Sequence, residues 1–191
     1  MRGAGELKPA PELTGANLSV HYDNTSIALH WATALLVLLN FALAETWDFF
    51  PRPEHHLMII GHISFGILLT AVIAARIIWR WKFGRALPAA GHGALDLVAK
   101  ALHHILYVLV VAEVLLGYAT RWTDNQPLNF FGLIIPSPFG HFSKATGRLV
   151  DNIHDYNAWI IMGLVGIHAV AAIGHHFLLK DKVLRRMLPS A

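Results

Sequence analysis

The 191-residue chain is 55% hydrophobic and only 14% charged, far below the charged share of a soluble domain, and this balance predicts a membrane protein. The absence of cysteine excludes disulfides, iron–sulfur clusters, thiolate metal ligation and covalent attachment of a c-type cofactor. The net charge of +3 gathers at the ends of apolar runs, so membrane lipid is the expected surrounding and no nucleic-acid partner is expected.

Residues 1–22 read as a flexible cytoplasmic tail, and residues 23–191 as one transmembrane domain. The first apolar span is predicted over residues 27–44, after Asn24, Thr25 and Ser26 as candidate helix caps. Ala42-Leu43-Ala44 imitates a leader cleavage site, but Glu6, Glu12 and Asp23 ahead of the run and His30-Trp31 inside it argue against one. The second span is predicted over residues 57–79 and the third over 95–120. Residues 121–152 form the one long connection; its apolar stretch from Phe130 to Pro136 is too short and broken to span, and is expected in the outer interface or capping the bundle. The fourth span is predicted over residues 153–179. Trp47, Trp79, Trp81, Trp122 and Trp159 mark interfacial belts. With both termini and the second-to-third connection inside, eleven Lys and Arg face the cytoplasm, and only Arg52, Arg121, Lys144 and Arg148 face outward. The expected fold is therefore all-α: an integral membrane four-helix bundle with both termini cytoplasmic.

Thirteen histidines are the main candidates for chemistry. His154 and His168 stand fourteen residues apart on the fourth span, close to four helical turns, so both project from nearly one face about 21 Å apart. Depth then pairs His62 with His154 near the outer side, and His30 with His168 near the inner side. Each pair joins two helices, as bis-histidine heme ligation in a bundle requires. The plainer reading of any one membrane histidine is a hydrogen bond to a neighbouring helix. Arg76 follows His62 by fourteen residues and is expected at the depth of His168, either pairing with a heme propionate or snorkelling. Gly61, Gly66, Gly163 and Gly166 offer flat space for a porphyrin, or simply close helix packing. His103 and His104 have no partner left at their depth and read as interfacial. His21, His55, His56, His92 and His141 read as solvated. His175 and His176, beyond His168, are the candidates for a quinone contact, against a plain interfacial role beside Lys180 and Lys182.

Taken in order, His30-Trp31, Gly61-His62-x-Ser64-x-Gly66, Arg76 with Trp79-Arg80, and His104 with Leu106-Tyr107 resemble the bacterial cytochrome b561 family. So do Phe131-Gly132-Leu133, His154, His168 with His175-His176-Phe177, and the tail Asp181-x-Val183-Leu184-x-Arg186-Met187-Leu188-Pro189. The resemblance covers the chain from about Tyr22 onward. It implies a four-helix bundle with two b-type hemes whose iron is held by His30, His62, His154 and His168. It also implies electron transfer, commonly with ubiquinone, in some members with superoxide oxidation at the outer face. The family commonly has proline where this chain has Val114, preceded here by Glu113. That carboxyl group serves either a proton or bonding role near the outer heme, or an ordinary helix–helix hydrogen bond.

Three functions compete. The first is a diheme electron carrier exchanging electrons with ubiquinone, either as a plain carrier or as an oxidoreductase in its own right, with Arg121, Lys144 and Arg148 steering an anionic donor such as superoxide. The second is the electron-accepting subunit of a membrane dehydrogenase or hydrogenase. The third is a heme-free histidine-rich transporter, disfavoured because no broken helix or inverted repeat appears.

Overall fold

The computed structural model describes residues 21–84, 94–140, 142–180 and 183–188. The expectations placed on residues 1–20, His92 and His141 lie outside the described residues. Four helices dominate: α1 (Asn24–Thr46), α2 (Arg52–Lys82), α3 (Ala94–Thr123) and α4 (Lys144–Phe177). All four are long and apolar enough to cross a membrane.

Their ends follow local chemistry, and they differ from the sequence expectation in instructive ways. The cap of α1 is Asp23, whose carboxylate accepts from the Ser26 amide at 2.9 Å and the Ser26 hydroxyl at 2.7 Å, and not one of Asn24, Thr25 or Ser26. A 3-10 turn, Trp47–Phe49, links α1 to Pro51, and α2 starts five residues earlier than the apolar run because Pro53 and Glu54 suit a first turn. Ser143 caps α4 by accepting from the Thr146 amide at 3.1 Å. The polar segment from Lys144 to Asn152, read as connection, is therefore helix. A helix can continue into water after its apolar stripe ends, so hydropathy marks the membrane boundary and not the helix boundary.

Among the described residues, the connection between α3 and α4 holds the one departure from helix and turn. Strands β1 (Leu128–Phe130) and β2 (Leu133–Ile135) pair antiparallel, Leu128 opposite Ile135. The two-residue turn sets Phe131 at φ 49° and Gly132 at φ 97°, the left-handed pair that a tight hairpin requires. Asn129 Oδ1 accepts from the Gly132 amide at 2.7 Å and fixes that turn. The hairpin docks on α2: Ser64, with no exposed surface, donates to the Asn129 carbonyl at 3.1 Å and accepts from the Phe131 amide at 2.9 Å.

The helices pack as two hairpins, α1 on α2 and α3 on α4, joined by lighter contacts between α2 and α3. Between the halves lies a small dry layer of Leu69 and Ile73 from α2, Val110 from α3 and Ile161 from α4. Ile161 stands seven residues from both His154 and His168, so this layer separates two polar levels. The outward faces carry exposed Leu35, Val108 and Val170, as expected of surfaces that meet lipid. At the inner end, the 3-10 turn Leu184–Met187 folds back over α1: the Trp31 indole donates to the Met187 carbonyl at 2.8 Å, and the Tyr22 amide to the Arg186 carbonyl at 3.1 Å.

Candidate functional site

The structure brings the four membrane histidines together two by two. His62 on α2 meets His154 on α4 with ring centroids 6.2 Å apart and planes at 83°. His30 on α1 meets His168 on α4 at 6.3 Å and 72°. Each pair bridges the two helical hairpins, one on either side of the dry layer.

At the outer pair, His62 Nδ1 donates to the Asn40 backbone carbonyl at 3.0 Å. That bond fixes the tautomer and leaves Nε2 with its lone pair free. His154 Nδ1 lies 3.2 Å from Glu113 Oε1, at an angle that falls short of a full hydrogen bond. The other Glu113 oxygen accepts from Asn157 Nδ2 at 2.7 Å, and the same amide group donates to the Leu109 carbonyl at 3.0 Å. Glu113 thus makes the helix–helix bond expected of it and also faces the outer pair. Gly117 lies against this level: a Cβ there would stand 3.4 Å from His154 Cε1, at the near edge of ordinary van der Waals contact, so a larger side chain would press on the ring.

At the inner pair, Arg76 Nη2 donates to His30 Nδ1 at 3.0 Å, and its guanidinium lies over the Tyr107 ring at 4.9 Å. Arg76 therefore reaches the expected level but holds a histidine and an aromatic face. His103, expected to lack a partner, sits with its ring 5.1 Å from His168; α3 and α4 pack closely enough for one turn of α3 to reach that level. His104 instead bonds the Lys100 carbonyl of its own helix at 2.7 Å. A cavity of about 30 Å³ lies beside Arg76, lined by Tyr22, Trp79, Arg80, Tyr107 and Met187. Its rim is held by Asp23, which accepts from the Trp79 indole at 2.8 Å. Burial works against the charged Asp23 carboxyl, but the Ser26 and Trp79 hydrogen bonds outweigh it and hold the group below its ordinary range.

His175 and His176 are half-buried on the last turn of α4, His176 edge-on to Phe177 at 4.8 Å. His21, expected to be solvated, is half-buried with its Nδ1 out of reach of water. His55 is half-buried 3.5 Å from Asp48, and His56 is exposed. Outside, Arg121, Lys144 and Arg148 line a depression of about 370 Å³, shared with Asp124 and Asp151.

The donor set suits one kind of metal. Among the described residues no three His, Cys, Asp or Glu converge as a bare ion would need. Two opposed imidazoles, each about 2 Å from a metal, hold their ring centroids about 6 Å apart and leave the equatorial positions to a macrocycle. Gly163 and Gly166, between the two α4 histidines, have open space where a Cβ would stand.

Sequence comparison agrees. The model of the family described as prokaryotic cytochrome b561 matches residues 21–190. The chain belongs to the prokaryotic cytochrome b561 family. It is 32% identical to cytochrome b561 homolog 1 of Escherichia coli K12, over 88% of this chain and 97% of that protein. It is 30% identical to a probable superoxide oxidase of Yersinia pestis, over 88% and 96%. A cytochrome b562 of Cereibacter sphaeroides is also 30% identical, over 87% and 94%. This cytochrome b561 is a multi-pass protein of the bacterial inner membrane, a heme-binding b-type cytochrome that transfers electrons.

Sequence reasoning missed Asn157 and Asn40, since a lone asparagine in an apolar span carries no spacing signal. Asp23 and Trp79 were legible only as a cap candidate's neighbour and a belt residue.

Proposed function

We propose that this cytochrome b561 holds two hemes b, an outer one between His62 and His154 and an inner one between His30 and His168. We propose further that it passes electrons from a donor at the outer face to ubiquinone. The observation that carries this reading is the repetition of one geometry, two interhelical imidazole pairs at 6.2 and 6.3 Å on one helix. A heme held by two of these histidines would supply a one-electron couple and, with both histidines bound, would favour electron transfer over oxygen binding.

The residues around it divide the remaining work. The Asn40 carbonyl orients His62, and Glu113 faces His154. Arg76, at the inner level, is the cation for a propionate; a carboxylate there would draw the guanidinium from His30 Nδ1 and let that nitrogen carry its own proton. The apolar layer around Ile161 keeps water out between the two levels. His175 and His176, at the inner edge of α4, are the candidates to hydrogen-bond a quinone carbonyl. Superoxide is the donor suggested by the relative from Yersinia pestis, and the basic rim of Arg121, Lys144 and Arg148 favours approach of a small anion.

The test is heme content and turnover of the purified protein. Two hemes b per chain, reduced by superoxide and reoxidised by ubiquinone, is the expected result. One heme per chain contradicts the diheme reading, and hemes that superoxide leaves oxidised contradict the donor.

A further inference from the structure

Glu113 stands out among the buried groups because electron transfer as described above does not require it. It lies in the run Val110-Val111-Ala112-Glu113-Val114-Leu115-Leu116, where an acidic side chain is costly unless its oxygens are satisfied. Only 16% of its side chain is exposed, and 17% of that of His154. One oxygen is fixed by Asn157, itself buried, which spends both amide hydrogens on α3: one on Glu113 and one on the Leu109 carbonyl a helical turn earlier. Asn157 also follows His154 by three residues, so the two share a face of α4. The second Glu113 oxygen is thereby aimed at His154 Nδ1, a buried nitrogen with no other partner among the described residues. At 3.2 Å a modest rotation of the ring completes the bond.

The inner level has the opposite character. Among the described residues, no carboxylate is paired with His30 or His168, and the group against His30 Nδ1 is the Arg76 guanidinium. A carboxylate accepting from a ligand's second nitrogen makes that imidazole a stronger donor to its metal and favours the oxidised ion. With no such acceptor on its histidines among the described residues, the inner level lacks that bias toward the oxidised ion.

We infer that Glu113, positioned by Asn157, sets the reduction potential of the outer heme below that of the inner heme through the His154 ring. This rests on reading His154 as an axial ligand. With hemes held at both levels, that order of potentials would let an electron received at the outer level pass downhill to the inner one, the outer iron being oxidised as the inner is reduced.

Potentiometric titration of each heme tests this, with low-spin electron paramagnetic resonance of the oxidised protein as a second readout. In Glu113→Gln the outer heme's reduction equilibrium is expected to shift at least tenfold toward the reduced form, about 59 mV for one electron. Its resonance position is expected to change, while the inner heme stays in place. Glu113→Asp, which keeps the charge but draws it back from the ring, moves the outer heme the same way by less. An outer potential unmoved in both variants, or equal shifts in both hemes, overturns the inference. His154→Ala separates the two levels of argument: if it retains two hemes the ligand reading fails, whereas loss of the outer heme beside a silent Glu113→Gln sinks the tuning role alone.

Discussion

The outer and inner histidine pairs share one spacing and almost nothing else. The outer pair is held by acceptors, the Asn40 carbonyl on His62 and Glu113 facing His154, beneath a β-hairpin docked through Ser64. The inner pair is surrounded by donors and cations: Arg76 on His30, with Arg80 over the Tyr22 ring at 5.6 Å, under a latch made by Tyr22, Trp31 and the Leu184–Met187 turn. One scaffold thus repeats a binding geometry while varying what surrounds it. The spacing on α4 sets the two histidine levels apart, and on the function proposed above it fixes where two hemes would sit. The neighbours from α1, α2 and α3 decide how different those two positions are.

That contrast can be broken one side at a time. Gly117→Leu is the most severe outer change, because the new side chain must occupy space already 3.4 Å from His154 at the Cβ. Its expected effect is loss of the outer heme with the inner one retained, read from heme content; retention of both would show that His154 has room to move. On the inner side, Arg76→Leu is expected to weaken heme retention at least tenfold during purification and leave the outer site intact. Equal retention by mutant and parent would assign Arg76 to helix anchoring alone. Ser64→Ala removes both hydrogen bonds that seat the hairpin while leaving α2 whole. A cost of about 1–3 kcal/mol is expected, because the Phe131 amide and Asn129 carbonyl lose their partner. Faster amide exchange at residues 128–135, with no change at the inner latch, is the measurement, and uniform exchange would refute the separation of the two ends.

The smallest effect concerns Asp23. Asp23→Ala removes the α1 cap and the Trp79 partner, for about 1 kcal/mol. The Asp23 carboxyl is held below its ordinary value when folded, so its contribution is complete above about pH 4 and fades as pH falls through the lowered value. Acid should loosen the inner latch in the parent and add little in the Asp23→Ala variant; identical acid profiles would remove Asp23 from the account.

Much of the bundle was legible in the sequence. Four apolar runs gave four helices, and the interval from His154 to His168 placed two polar levels on one helix. What escaped was set by partners distant in the chain. The sequence leaves His103 without a partner because hydropathy gives depth one helix at a time, whereas its neighbour His168 is decided by how α3 leans on α4. Asn157 gives no periodic signal, and its role exists only because Glu113 lies opposite. The Phe131-Gly132 turn was visible as a break, but a hairpin needs the Ser64 anchor on α2, which sequence distance conceals. Hydropathy also stopped short of α4's first nine residues, which are helix held by the Ser143 cap and not by lipid.

The most direct measurement is heme stoichiometry with reduced-minus-oxidised spectra for the parent, His62→Ala and His168→Ala, purified side by side. Two hemes b in the parent are expected, with His62→Ala losing the one and His168→Ala losing the other. A single heme lost in both variants, or both hemes kept in either, would contradict two independent interhelical sites.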